Sequence, residues 1–317
     1  MPTDVRPDLL GAPYAATTYE LAPDSEGPVV ATLVHRPALE PTGRAVLHVH
    51  GFADYFFQAV AADHWVARGY DFYALDLRKC GRSLLPHQRA HYVASLDEYY
   101  EELDRAWADV TADHEDVVVS AHSTGGLTCS LWLHDRGHRP AGVFLNAPWL
   151  DMQGPALMRH LVMPAIGRLG RRRPTREVPR SVSGFYARSL HRDHEGEWDF
   201  DLTLKPVASF PVYAGWLRAI RAGQARVAAG LDVRAPILVA CSTRSGHPAS
   251  MADPAVISTD IVLDVEQIRR RAPLLGGHVT VAMIEGALHD VTLSAEPVRK
   301  IVFEELDTFL SAYADRT

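Results

Sequence analysis

Six short apolar runs recur along the chain: AVLHVH (45–50), DFYALDL (71–77), DVVVSAH (116–122), GVFLNAP (142–148), PILVACS (236–242) and HVTVAMIEGA (278–287). They are apolar at successive positions, not alternate ones, and Gly, Pro or Asp bound them. That pattern predicts strands buried on both faces, as in a parallel sheet. Between the runs the period lengthens. Leu96, Tyr99, Tyr100, Leu103, Trp107 and Val110 recur at helical spacing, as do Val298, Val302, Leu306, Phe309 and Tyr313 near the end. Strands alternating with helices imply right-handed crossovers and a doubly wound sheet. Ahead of this core, ATTYELA and PVVATLVHR flank the turn PDSEGP and predict an antiparallel hairpin at the sheet edge.

One interval breaks the rhythm. From Asp151 to Asp232 no buried-strand run occurs, while large apolar residues are scattered through it, among them Leu157, Met158, Leu161, Phe185, Tyr186, Trp198, Phe210 and Trp216. That is too long for a loop in a compact domain. The expected organisation is a core from residues 1–150 and 233–317, interrupted by a helical insertion over 151–232. The insertion also differs in charge. It holds 13 Lys and Arg against 8 Asp and Glu, whereas the whole chain is at −7.

A length of 317 residues suits one such domain with an insertion. The acidic net charge argues against a nucleic-acid partner bound through a basic surface. Cys80, Cys129 and Cys241 lie far apart with no metal-site spacing. No apolar stretch nears the roughly 18 residues of a membrane span, and the first residues lack the basic start and apolar run of a signal peptide. The expectation is a soluble cytoplasmic protein.

Chemistry enters with VVVSAHSTGG, residues 117–126. Ser123 follows a predicted buried strand and precedes the predicted helix GLTCSLWLHDRG. Small residues, Ala121 and Gly125, stand two positions to either side. This is the setting of a nucleophile elbow, with alanine in place of the first glycine. A serine hydroxyl needs a base, and His289 sits in the loop after the last apolar run, on the rim that the elbow also faces. A carboxylate must orient that histidine. Asp253, Asp260 and Asp264 all lie in the long segment after PILVACS, and spacing does not choose among them. Backbone N–H groups must stabilise the developing oxyanion: that of Thr124, after the serine, and that of Phe52, in the loop HGFADYF. His50 precedes the turn glycine Gly51 and organises that loop.

Taken together, HVHGFADYF, DLRKCGRS, AHSTGG, NAPWLD and GALHD resemble the α/β-hydrolase superfamily. The nearest branch is that of monoacylglycerol lipases, lysophospholipases and serine aminopeptidases. The resemblance spans residues 45 to 290 and implies an α/β-hydrolase fold, a mostly parallel doubly wound sheet with an inserted helical cap at 151–232 that shapes the acyl pocket. It also implies that the first aspartate of DIVLD, Asp260, completes a triad with Ser123 and His289. The long spacer before DIVLD departs from the family and keeps Asp253 in play. Trp149 and Leu150 would line the pocket mouth, and His50, Gly51 and His122 would lie around the substrate.

The expected function is a serine hydrolase acting on small-molecule carboxylic esters with an apolar acyl group, such as a monoacylglycerol or lysophospholipid, without metal or cofactor. An amidase, aminopeptidase or thioesterase would use the same triad. A peptidase reading needs carboxylates for a free amine, which HRDHEGEWDFD offers as Asp193, Glu195, Glu197, Asp199 and Asp201; His191 and His194 lack a third metal ligand. A non-catalytic binding protein on the same fold is the reading from another class. The basic insertion suggests transient contact with an anionic lipid surface.

Overall fold

In the computed structural model, which describes residues 5–152 and 163–315, the apolar runs form one sheet. The strands are β1 (Val5–Pro7), β2 (Ala15–Asp24), β3 (Gly27–Arg36), β4 (Arg44–Val49), β5 (Tyr70–Asp76), β6 (Asp116–His122), β7 (Gly142–Asn146), β8 (Ile237–Ser242) and β9 (Val279–Ile284). Among the described residues the sheet has nine strands in the order β1-β2-β3-β5-β4-β6-β7-β8-β9. β5, β4, β6, β7, β8 and β9 run parallel, and β1, β2 and β3 extend the sheet antiparallel at one edge. β1 had no signal in the sequence. It is three residues long, exposed and ends in proline, as edge strands tolerate.

Helices cover both faces. On β4, Ala45, Leu47 and Val49 enter the core shared with α2 (Tyr100–Asp113) and α3 (Thr124–Arg136), while Val46 enters the core shared with α1 (Ala59–Ala67) and α8 (Glu296–Tyr313). Burial on both faces is why the inner runs do not alternate; β9, expected to be buried on both faces, is the far edge of the sheet, and its Thr280 is exposed.

Between β7 and β8 the chain leaves the sheet and forms α4 (Met163–Arg172), α5 (Phe185–Leu190) and α6 (Ala214–Ala229). Residues 153–162 of this stretch, with Leu157, Met158 and Leu161, lie outside the described residues. The stretch is not uniformly separate from the core. Trp216, Ile220 and Val227 of α6 belong to the same buried cluster as Leu127 and Leu131 of α3. Phe200 and Leu190 instead pack on Tyr55, Phe57, Leu288 and Leu293 in a smaller cluster. α7 (Val265–Arg271) follows β8.

Two buried polar devices shape the sheet's C-terminal rim. Asp76, fully buried at the end of β5, accepts from Phe56 N (2.9 Å), Arg82 N (3.0 Å) and Arg82 Nη1 (2.9 Å). Arg82 also donates to Phe56 O (2.9 Å) and forks onto both oxygens of Asp8 (2.6 and 2.8 Å). This network ties the loop after β4 to the loop after β5. Removing one partner of a buried ion pair strands the other charge. Arg82→Leu is therefore expected to lower the unfolding free energy by about 3–5 kcal/mol, read from the urea midpoint. A loss under about 1 kcal/mol would contradict the role.

The second device is neutral. His48 on β4 bonds Ser120 Oγ (3.1 Å), and His91 bonds Cys80 Sγ (3.1 Å); Nε2 of each is buried without a partner among the described residues. Burial pushes His48 down to about 4 and His91 to about 3, from an ordinary 6.5. The unfolded chain thus takes up protons near pH 6.5 that the folded chain refuses. Their stabilisation is complete above that pH and is lost as pH falls toward the folded values. Urea midpoints should drop already between pH 6.5 and about 5, and His91→Met should remove up to about 1.4 kcal/mol per pH unit of that slope. An unchanged slope would mean that His91 is not buried neutral.

Candidate active site

The site is assembled where β4, β6, β8 and β9 end. β6 runs into Ser123, whose backbone sits at φ 52°, ψ −116°, and α3 starts at the next residue. Such a conformation is sparsely populated for a non-glycine residue and persists only where the surroundings fix it. Here Ser123 N donates to Asn146 O (3.0 Å) and Trp149 N donates to Ser123 O (2.9 Å). A Cβ at Gly125 would run into the carbonyls of His50 and Val49, and one at Gly126 would lie 2.6 Å from Pro148 Cβ. The tight approach is thus a requirement for glycine at those two places. Ala121 is fully buried, with room for its methyl group.

Ser123 Oγ lies 3.0 Å from His289 Nε2, and His289 Nδ1 lies 3.0 Å from Asp260 Oδ2. The other oxygen of Asp260 accepts from Val262 N and Leu263 N, both at 2.8 Å. With the carboxylate so held, Nδ1 carries the proton and Nε2 is free to accept from the serine hydroxyl. All three side chains are buried. The alternative acids are occupied elsewhere. Asp253 caps the turn 254–257 through Ala255 N (2.9 Å), and Asp264 caps α7 through Glu266 N (3.1 Å).

Thr124 opens α3, so its N–H has no acceptor one turn back within the helix. It and Phe52, in the loop after β4, both line the cavity that holds Ser123 and His289. The cavity measures about 470 Å³. Phe52, Trp149 and Trp216 form an aromatic wall, with ring centroids 4.4 Å apart for Phe52–Trp216 and 6.1 Å for Trp149–Trp216. Val178, Val182, Val207, Val212 and Leu217, from the segment between β7 and β8, continue the apolar lining.

Of the residues expected around the substrate, His122 and Trp149 line this cavity. His50, Gly51 and Leu150 do not. His50 is buried in the loop, accepting from Leu77 N (3.1 Å) and donating to Gly51 O (2.7 Å). Gly51 lies against Ser123 Cβ and the His122 ring. Leu150 is buried in the main core. The acidic stretch 193–201 also points elsewhere: Glu195 pairs with Arg188, Asp199 with Arg192 and Glu197 with Arg299. His191 Nε2 donates to Phe200 O (2.9 Å), and no cluster of three His, Cys, Asp or Glu side chains suited to a metal occurs among the described residues.

Several residues here were not singled out from sequence. Asp290, next to the histidine, is fully buried and held by Asn146 Nδ2 (2.6 Å), Thr292 Oγ1 (2.6 Å) and Gln58 Nε2 (3.2 Å). Burial raises its pKa, but the nearby His122 and the hydrogen bonds from Thr292 and Asn146 outweigh that and hold the carboxyl below its ordinary range. Tyr186 of α5 accepts from Asp290 N (3.0 Å) and stands edge-on to the His289 ring. Asp54 and Lys205 form an ion pair in the cavity wall. The adjacency of Asp290 to His289 was visible in GALHD; nothing in the sequence links Asp54 to Lys205.

The fold has many solved counterparts. A soluble variant of monoglyceride lipase from Saccharomyces cerevisiae, solved with a substrate analog, aligns with a TM-score of 0.68 at 15% identity, over 100% of this chain and 98% of that one. Monoacylglycerol lipase from Paleococcus ferrophilus aligns at 0.62 and 18%, over 87% and 99%. A thermostable carboxyl esterase from Bacillus coagulans, in complex with glycerol, aligns at 0.64 and 14%, over 94% and 99%. At such identities the likeness is one of fold. No curated protein matches the sequence. The family described as serine aminopeptidase, S33, matches residues 40–245, from ahead of β4 through the elbow to the loop after β8. The chain belongs to the serine aminopeptidase S33 family and has the α/β-hydrolase fold.

Proposed function

We propose that this protein is a serine hydrolase that cleaves carboxylic esters carrying an apolar acyl group. The observation that carries the reading is the hydrogen-bonded line Asp260–His289–Ser123 at the wall of a largely apolar cavity. Ser123 Oγ attacks the ester carbonyl carbon while His289 Nε2 takes the hydroxyl proton. The N–H groups of Phe52 and Thr124 hold the oxyanion that forms. As the tetrahedral intermediate collapses, the alcohol leaves with the proton from His289. Water then repeats the sequence on the acyl-enzyme and frees the acid. Asp260 keeps His289 in the tautomer that accepts at Nε2 and stabilises the imidazolium.

The fold likeness to proteins named as monoglyceride lipases and a carboxyl esterase supports esters over amides. None of the five carboxylates that the stretch 193–201 offered for a free amine lines the cavity, and Glu195, Asp199 and Glu197 pair with arginines instead. Residues 151–232 act as a cap over the acyl site, with a monoacylglycerol, lysophospholipid or similar ester beneath it. Arg168, Arg171, Arg172, Arg173 and Arg176 are exposed on and after α4, beside cavity-lining Val178. In this reading they meet an anionic bilayer at about 1 kcal/mol per residue, screened by salt.

Intact mass after treatment with a fluorophosphonate should show one adduct on the wild type and none on Ser123→Ala. Turnover of p-nitrophenyl esters should peak at the acyl length that fills the cavity. Asp260→Asn should cost roughly 10⁴-fold in kcat and Ser123→Ala more. Absence of an adduct on the wild type would refute the reading in favour of a binding protein. For the cap, sedimentation with anionic vesicles, absent with zwitterionic ones and reversed by salt, is expected; equal sedimentation with both would remove the arginines' role.

A further inference from the structure

His289 has to present Nδ1 to Asp260 and Nε2 to Ser123 at once, each at 3.0 Å. Rotation of an imidazole about its last side-chain bond has only broad preferences, so neighbours must set the plane of the ring. Two aromatic rings adjoin it among the described residues. His122 lies 4.8 Å away between centroids, and Tyr186 stands edge-on at 5.6 Å. The backbone around the histidine is pinned as well. Leu288 N donates to Ser294 Oγ (3.0 Å) and Val291 N to Asn146 Oδ1 (3.0 Å), both groups of the core. Asp290 N, in a residue only 2% exposed, donates to the Tyr186 hydroxyl (3.0 Å). Tyr186 differs from the other two acceptors in origin: it belongs to α5, in the segment between β7 and β8.

α5 brackets the histidine. Tyr186 and Leu190 are four residues apart, on one face of the helix. Leu190 is fully buried in the small cluster that also holds Leu288, the residue before His289, while Tyr186 takes the N–H of the residue after it. The chain that follows α5 is tied to the core in turn: Trp198 Nε1 donates to Leu293 O (3.0 Å) and Asp201 N to the Tyr55 hydroxyl (2.8 Å). From these contacts we infer that Tyr186 is a positioning residue for His289, so that the segment between β7 and β8 completes the reacting line as well as lining the cavity. This deepens the proposed ester hydrolysis and rests on it. Without the Tyr186 hydroxyl the Asp290 N–H is stranded in a buried loop, and the loop gains by turning it toward another acceptor. Such a turn carries Nε2 off Ser123 Oγ, and a misplacement of about 1 Å costs about a hundredfold in rate.

The test uses the full chain and Tyr186→Phe, which keeps the ring and removes the acceptor. On p-nitrophenyl acetate and on a longer acyl ester alike, kcat should fall about ten- to a hundredfold with KM held within about twofold. Fluorophosphonate labelling should slow by a similar factor. The low-field proton resonance of His289 Nδ1–H, assigned by its loss in His289→Gln, should shift or broaden in Tyr186→Phe. A tyrosine that only supports the fold would lower the urea midpoint and leave kcat and that resonance as in the wild type, which would overturn the inference. So would a loss that appears in KM or differs between the two esters, the mark of a substrate contact. If Tyr186→Phe fails to fold, 3-fluorotyrosine at position 186, close to isosteric but a weaker acceptor, should give a smaller loss of kcat with KM unchanged; wild-type kcat there counts against the inference in the same way. Labelling separates the failures. A labelled wild type whose variants keep wild-type rates overturns this inference alone, and an unlabelled wild type overturns it together with the proposed reaction.

Discussion

The whole site hangs on one strained residue. Ser123 is held at φ 52°, ψ −116°, at a cost on the order of 1–3 kcal/mol, so that its hydroxyl stands at the end of a strand buried in all but its first residue. The strain survives because the chain around it cannot relax. The backbone of Ser123 is bonded on both sides, to Asn146 and Trp149, and the next turn of α3 lies against the carbonyls of Val49 and His50 through Gly125. That last contact has a second consequence. It fixes the helix bearing the N–H of Thr124 against the end of β4, which leads into the N–H of Phe52. The turn that presents Ser123 is thus also the turn that places the two candidate oxyanion donors at one end of the sheet.

Everything else must come to that point. A parallel sheet delivers its loops to one rim, so an acid after β8 and a base after β9 can meet a serine after β6 without long excursions. Three carboxylates drawn into this rim are compensated locally. Asp260 is bound by two backbone N–H groups, Asp290 by three side chains, and Asp76 by Arg82, which also donates to Phe56 O. A charge without such partners would move the loop that carries it, because desolvation would cost more than a loop of this size gains by packing.

How much of this was legible follows from the range of each interaction. β4, β6, β7 and β8 were plain because double-sided burial leaves unbroken apolar runs, and the elbow because its small residues lie within five positions. His289 was singled out by its place after the last strand, and it lies against Ser123. Choosing Asp260 over Asp253 and Asp264 took a family resemblance, because all three sit in one loop and two of them are helix caps, a role that sequence spacing does not distinguish from an acid's. β1 was missed since three exposed residues ending in proline carry no period. His50 bonds within its loop, as its place before the turn glycine suggested, whereas Leu150, expected at the pocket mouth beside Trp149, turns into the core.

The pair Asp54–Lys205 lies furthest from sequence reach, since 151 positions separate its members and neither has a local pattern. That separation bears on how one fold serves many substrates. The sheet and its loops hold the reacting groups to within hydrogen-bonding distance, which leaves little freedom to vary them. The segment between β7 and β8 supplies much of the apolar wall, together with Tyr186 behind His289 and Lys205 beside Asp54. It touches the reacting line only at its edges. Substitutions there can change what enters and leaves without disturbing the strained turn, whereas substitutions at Gly125 or Arg82 cannot avoid it. In the proposed reading, substitutions in that segment, Tyr186 apart, change the cavity wall and those in the core change the line Asp260–His289–Ser123, although α6 and α3 share a hydrophobic cluster.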